Sequence, residues 1–173
     1  MNIFYLHKNT EQCAKMHCDK HVVKMILESA QLLCTAHRVC DGDNYCNDYN
    51  LYKKTHENHP SAIWVRKSAD NYQWLHELFF FLLIEYYARY GKIHKCTELY
   101  DALIKVPDNI GSEKFTKPPQ CMPEEYKNEN TITAYRDYYN AEKSRFAKWN
   151  YSETPTWFLP LSSPDYPSIN EEI

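Results

Sequence analysis

Apolar side chains recur at helical spacing along much of this chain. The first such pattern begins at Thr10 or at Asp19 and extends to about Val39, and Thr10 followed by Glu11 is a typical helix start. Seven apolar residues within it cover more than half of a helical wheel: Val22, Val23, Met25, Ile26, Leu27, Ala30 and Leu33. This pattern predicts a helix that is buried on most of its sides.

A second helical pattern begins near Pro60, a residue type favoured in the first helical turn, and reaches Tyr90. Ser68 offers a further cap inside it, so we expect one kinked helix or two successive helices, with Gly91 as the stop. The core of this segment is predicted to consist of Trp74, Leu75, Leu78, Phe79 and Leu82.

Shorter helices and irregular segments complete the predicted order. A short helix is expected over about 96–104 and a last helix over about 133–149. Three segments are predicted to be irregular: a polar loop at about 41–58, a proline-bearing loop at about 107–132 and an extended tail at about 153–173. We therefore predict a mostly α, compact single-domain fold over residues 1–173.

Composition excludes several classes of function. With 20 basic and 23 acidic residues the formal net charge is -3, so contact with DNA requires a local basic patch. The three glycines form no phosphate-binding loop of a known glycine-rich type. The longest apolar run, LFFFLLI at 78–84, is far shorter than the roughly 20 residues of a membrane span, so no membrane partner is expected. Seven cysteines without disulfide-framework spacing, and no signal peptide, favour a reducing cytoplasm.

Polar residues form a narrow strip on the first predicted helix: His17, His21, Lys24, Glu28 and Thr35. One interpretation is a solvated face with an ion pair between Lys24 and Glu28. The other is the floor of a pocket, in which Glu28 and His21 are the candidate catalytic residues. His17 and Lys24 then bind the ligand. A zinc site formed by Cys13, His17 and His21 has only three ligands, so we predict no metal and no other cofactor.

The start of the second predicted helix carries a candidate anion site. His56 and His59 flank it, its first backbone N–H groups have no partner within the helix, and Arg66 follows. Trp64 and Tyr72 are candidates for stacking on a nucleotide base, although aromatic residues at helical spacing are more often part of a core.

The last predicted helix has an excess of cations. Arg136, Lys143 and Arg145 are candidate phosphate contacts there, but long cationic side chains also commonly cover apolar surface. Fifteen tyrosines leave a third possibility, a module that binds other proteins.

Two resemblances accompany these patterns. The segments HCDKHVVKMILESAQLL (17–33) and NHPSAIWVRKSADNYQWL (58–75) look like parts of uncharacterised tailed-phage proteins, a likeness that covers most of the chain. More distantly, the chain resembles the pyrimidine-dimer DNA glycosylases of the endonuclease V type. Asp19 and His21 match an Asp-x-His motif of those enzymes, and Glu28 stands where they have the catalytic glutamate, seven residues beyond the histidine.

Further similar features are a short apolar start, NIFYL, His59 at the beginning of a long helix, RYGK at 89–92, YR at 135–136 and PTW at 155–157. The resemblance implies a compact helical fold and removal of a base from DNA. In that family the nucleophile is the free α-amine of a small second residue. Asn2 is too large for efficient removal of Met1, so the amines of Met1, Lys20 and Lys24 are the remaining candidates.

Two functional hypotheses follow. The first is a cytoplasmic phage-type protein that binds a nucleotide or modified nucleotide and thereby sequesters or processes a host nucleotide signal, as an anti-defence protein. Its pocket is predicted to be lined by His17, His21, Lys24, Glu28, His59 and Arg66. The alternative is a DNA glycosylase, with or without lyase activity at abasic sites, whose partner is damaged duplex DNA.

Overall fold

The computed structural model describes residues 1–159 of the chain. The regular elements of this part are all helices, and no strand is present among these residues. The α-helices there are α1 (Thr10–Met16), α2 (Asp19–Asp41), α3 (Asn44–Asp48), α4 (Pro60–Arg66), α5 (Ala69–Tyr90), α6 (Tyr100–Ile104) and α7 (Thr131–Glu142). Two 3₁₀ helices are Lys95–Leu99 and Glu124–Tyr126. The prediction of a mostly α fold is confirmed. In this part of the chain no helix is long and apolar enough to cross a membrane.

The first predicted helix is two helices, and both of its proposed starts are used. Asn9 caps α1 by accepting a hydrogen bond from the backbone nitrogen of Gln12. His17 and Cys18 then adopt extended backbone, which ends α1 and allows α2 to begin at Asp19. The chain therefore changes direction at His17, inside the predicted polar strip.

The second predicted helix is also divided into two successive helices, α4 and α5. This was one of the two arrangements expected from the sequence. Ser68 caps α5, because its hydroxyl accepts a hydrogen bond from Asn71 N at 3.0 Å. Gly91 ends α5 in the left-handed conformation, with φ of 62°, and donates its N–H to Tyr87 O. The predicted cap and stop are both confirmed.

Two predicted boundaries are wrong. The polar loop at 41–58 contains α3, which is held by the buried side chain of Cys46. The last helix spans Thr131–Glu142 instead of 133–149. It ends early because the following segment bonds to the start of α2: Asp19 N donates to Lys148 O, and Asn150 N donates to the Asp19 carboxylate.

The core lies where α2 and α5 pack together, with α1 against α5 and α4 against both. Four of the five predicted core residues of α5 are buried, and Trp74 is half-buried beside an open pocket. Val23 and Leu27 were expected inside but are 38% and 41% exposed. The apolar side of α2 is thus narrower than its sequence suggests.

The amino-terminal segment is an extended arm that runs through the core. Ile3, Phe4, Tyr5 and Leu6 are all buried, and Arg136 of α7 donates a hydrogen bond to Leu6 O at 3.1 Å. This arm carries residue 2 to the middle of α2. At the other end of the chain, only 153–159 of the predicted tail is described, and 160–173 lies outside the described residues.

A buried ion network joins α1, α2 and α5. The Arg89 side chain is 1% exposed and pairs with Asp19 at 3.1 Å and with Glu85 at 2.9 Å. It also donates hydrogen bonds to the carbonyls of His17 and Lys15. Arg89 thereby holds the break between α1 and α2 in place.

Candidate functional site

A backbone nitrogen and a carboxylate meet where the amino-terminal arm crosses α2. Asn2 N donates a hydrogen bond to Oε2 of Glu28 at 2.9 Å. The other oxygen of Glu28 lies 3.4 Å from Nζ of Lys24, whose side chain is 64% exposed, whereas that of Glu28 is only 13% exposed. Glu28 is therefore a largely buried hydrogen-bond acceptor for the backbone nitrogen of residue 2.

The side chain of Asn2 is fixed at both of its polar atoms. Its Nδ2 donates to Cys121 O at 3.0 Å, and its Oδ1 accepts from the hydroxyl of Tyr135 at 2.8 Å and from Ile3 N at 2.8 Å. Tyr135 belongs to α7 and is fully buried. Residue 2 is thus oriented by α7 and by the loop before it.

An open pocket of about 510 Å³ adjoins this arrangement, and Met1, His59, Cys121, Lys127 and Tyr138 are among the residues that line it. The Nδ1 of His59 accepts a hydrogen bond from Ser61 N at 3.1 Å, which places the proton of the neutral ring on Nε2. Burial lowers the pKa of His59, the positive charges of the Met1 amino group and His56 lower it further, and Glu28 opposes them. The charges of the Met1 amino group and of Glu28 therefore both act on His59.

His21, the second predicted catalytic residue, faces the interior. Its Nδ1 lies 2.7 Å from the hydroxyl of Tyr139, and its ring stacks on Phe4 with 4.5 Å between centroids. Burial, and then the charges of His17, Lys143 and Lys24, lower the pKa of His21 to about 3. At neutral pH it is an uncharged ring that supports the arm.

His17 is fully buried, because the break between α1 and α2 turns its side chain inward. Its Nδ1 lies 2.7 Å from Cys13 O, and Nε2 has no hydrogen-bond partner among the described residues. Burial lowers its pKa to about 4. A ligand in solution has no access to His17 in this conformation.

The aromatic rings predicted to stack on a base are parts of the core. Trp64 is 4% exposed and donates from Nε1 to Thr116 O at 3.1 Å. Tyr72 is 0% exposed, and its hydroxyl donates to Leu103 O at 2.9 Å. Both rings are used for packing.

The predicted anion site at the start of α4 is occupied by the protein itself. His59 accepts the N–H of Ser61, and Arg66 donates to Glu57 O at 2.6 Å. His56 is exposed and contacts its neighbour Thr55 at 2.7 Å. Of this group, His59 is the residue that the structure brings to Glu28.

The predicted phosphate contacts are in three different environments. Arg136 packs over the ring of Trp157, with 5.3 Å to the centroid, and holds the amino-terminal arm. Lys143 lies 4.4 Å from the centroid of Tyr138, beside the pocket. Arg145 is exposed and forms no ion pair with the described residues. Only Lys143 and Arg145 are placed where a phosphate could reach them easily.

Fold and site together define a mostly α-helical protein in which an extended amino-terminal arm delivers a nitrogen to a buried carboxylate. Comparisons with family models, curated proteins and solved structures find no match to this chain. Among the described residues, no group of histidine, cysteine and acidic side chains is placed to hold a metal ion. The sequence patterns identified Glu28, Lys24 and His59 as site residues. They did not predict the contacts of Asn2 with Glu28 and with Tyr135. The YR pair at 135–136 was the only sequence feature that pointed to Tyr135.

Proposed function

We propose that this chain is a DNA glycosylase in which an amine at the start of the amino-terminal arm forms an imine with the sugar, assisted by Glu28. The observation that carries the proposal is the 2.9 Å hydrogen bond from Asn2 N to Glu28. That nitrogen is a peptide nitrogen as long as Met1 is attached, and it becomes a primary amine at the carboxylate only in chains that lose Met1, a step that the size of Asn2 makes inefficient. With Met1 retained, its own amino group lies beside the adjoining pocket and His59.

The chemistry requires an amine as nucleophile and a proton acceptor beside it. Glu28 is the proposed acceptor, and the amine is that of Met1, or that of Asn2 once Met1 is removed. The amine forms a bond to C1′ of the deoxyribose while the bond from C1′ to the base breaks, and the base leaves with that electron pair and takes up a proton. Glu28 accepts the proton that the amine loses. Cleavage of the C1′–O4′ bond, with a proton going to O4′, then yields the imine. At an existing abasic site the amine condenses with the C1′ aldehyde and releases water.

Access to the sugar requires that the nucleotide leaves the base stack, because C1′ and the base are enclosed in a duplex. The open pocket beside Met1 provides the space, with the ring of Tyr138 and the imidazole of His59 in its lining. The exposed cation Arg145 follows α7 and is available to phosphates. In this proposal the protein works in the cytoplasm, on the DNA of a phage or its host.

A second candidate is a phage-type protein that binds a free nucleotide in the same pocket. The formal net charge of -3 favours it, because proteins that bind duplex DNA are usually basic. The volume of about 510 Å³ lies within the range of small-molecule sites. Of the residues predicted to line the pocket, His59 lies in its wall. Saturable binding of nucleotides, with no affinity for duplex DNA at low salt, would distinguish it.

The proposed function is tested by trapping the imine. Labelled duplexes with a thymine dimer or an abasic site are incubated with the protein and cyanoborohydride, which reduces an imine to a stable amine. The wild-type chain is expected to form a covalent adduct, and Glu28→Gln is expected to lower its yield at least tenfold. Glu98→Gln is the matched control, because this exposed glutamate lies on a separate 3₁₀ helix. Absence of an adduct from the wild-type chain overturns the proposal, whether or not the thymine-dimer duplex acquires alkali-sensitive breaks.

A further inference from the structure

Asn2 is held through both polar atoms of its side chain and through its backbone nitrogen. Its carboxamide is bound to Cys121 O at 3.0 Å and to the hydroxyl of Tyr135 at 2.8 Å. The peptide nitrogen of the same residue contacts Glu28 at 2.9 Å. One residue therefore has an anchored side chain and a nitrogen directed at the candidate proton acceptor.

We infer that Asn2 and Tyr135 form a positioning clamp, which fixes residue 2 against Glu28 and thereby positions the amine at the start of the arm. The inference rests on the proposed function, because it assigns the clamp a role in that reaction. Neither the carboxamide of Asn2 nor the hydroxyl of Tyr135 touches the pocket that would hold the sugar. Both groups act by fixing the position of residue 2 at the start of the arm, so Asn2 and Tyr135 are positioning residues.

Tyr135 is suited to this role by its burial and by its other contacts. Its side chain is fully buried on α7. The one proton of its hydroxyl is shared between Asn2 Oδ1 at 2.8 Å and Pro119 O at 2.6 Å, and the hydroxyl oxygen accepts the N–H of Cys121 at 3.3 Å. A single hydroxyl thus joins α7, the loop at 119–121 and residue 2. Loss of that hydroxyl releases all three contacts at once.

Asparagine at position 2 supplies what the clamp needs, a donor and an acceptor on one planar group. Its NH₂ meets the carbonyl of Cys121, and its oxygen meets the hydroxyl of Tyr135. Leucine has nearly the same shape but neither hydrogen-bonding atom. It is also a large residue, so Asn2→Leu leaves the processing of Met1 unchanged, and the intact mass of the protein verifies this.

The test measures the rate of adduct formation against the concentration of abasic duplex, with cyanoborohydride present. Tyr135→Phe and Asn2→Leu are each expected to lower the rate constant at saturating DNA by roughly 10- to 100-fold, the effect of a small displacement of a reacting group. The half-saturating DNA concentration is expected to stay within about twofold. The double variant is expected to be no slower than the slower single variant, because both changes disable one device.

Tyr45→Phe is the matched control, since that hydroxyl also donates to a backbone carbonyl, Ala102 O at 2.8 Å, but far from residue 2 in the fold. If Tyr135→Phe fails to fold, Asn2→Leu tests the clamp alone. Wild-type rates in the folded variants overturn the clamp and leave the proposed function standing. A rise in the half-saturating concentration without a lower maximal rate also overturns it. No adduct from the wild-type chain overturns the proposed function, and the role of the clamp with it.

Discussion

The hydroxyl of Tyr139 lies 2.7 Å from Nδ1 of His21, inside the bundle and next to the amino-terminal arm. The same hydroxyl accepts the backbone N–H of Cys18 at 3.1 Å, so its own proton is free to be donated to the imidazole. With the hydroxyl as the donor, the neutral ring of His21 carries its remaining proton on Nε2. The residue that the sequence marks as catalytic is part of the support for the arm.

Removal of this hydroxyl is expected to destabilise the fold. Tyr139→Phe leaves the N–H of Cys18 and Nδ1 of His21 buried without a partner, at a cost of about 2–4 kcal/mol in the free energy of unfolding. Urea denaturation followed by circular dichroism measures it. A loss below about 0.5 kcal/mol would show that water or another group replaces the hydroxyl.

Stability is expected to decrease as the pH falls below neutrality. Burial lowers the pKa of His17 to about 4 and that of His21 to about 3, from an ordinary value of 6.5. Between about pH 6.5 and pH 4 the unfolded chain therefore binds protons that the folded chain does not, which favours unfolding. Each histidine contributes a loss of roughly 2 kcal/mol at pH 5.

This pH dependence is measured by urea denaturation at pH 7 and pH 5, together with the imidazole ¹⁵N shifts of the folded protein. Both rings are expected to keep the shifts of the neutral form at pH 5. Protonation of either ring in the folded state above pH 6 would contradict the burial that the structure assigns to it.

Loss of the buried arginine is expected to be among the most damaging single changes. Arg89→Met removes the partner of Asp19 and Glu85 and leaves the carbonyls of His17 and Lys15 unpaired. Breaking a buried ion pair from one side typically costs about 3–5 kcal/mol. The measurement is the urea midpoint, with Arg145→Met as the control.

Arg145 is exposed and is expected to change stability by less than about 0.5 kcal/mol when replaced. If Arg89→Met and Arg145→Met had the same midpoint, the network around Arg89 would have no net stabilising effect. Such a result would mean that the desolvation of its three charges offsets their attraction.

Local sequence signals were sufficient for most of the helices. Ser68 and Gly91 delimit α5 through hydrogen bonds to residues at most four positions away, so both ends of this helix can be predicted from the local sequence. The end of α7 could not be predicted from the local sequence. It depends on bonds from 148–150 to Asp19, more than a hundred residues earlier.

The site was predictable only in part for the same reason. Glu28 stood out because it belongs to a narrow polar strip on a helix that is apolar over most of its circumference. Its partner, the nitrogen of Asn2, lies 26 residues away along the chain, and the Tyr135 that orients Asn2 lies 133 residues from it. His17 was placed in the polar strip by helical periodicity, but the break at that residue turns the side chain into the core.

The central claim is that the reacting amine belongs to the start of the amino-terminal arm and lies at Glu28. Its most direct test is to reduce the imine formed with an abasic duplex, digest the adduct and locate the modified nitrogen by mass spectrometry. The account predicts that the sugar is attached to the amine of Met1 or Asn2, and that Glu28→Gln suppresses this product. Attachment to Lys20 or Lys24, or a wild-type yield from Glu28→Gln, would contradict it.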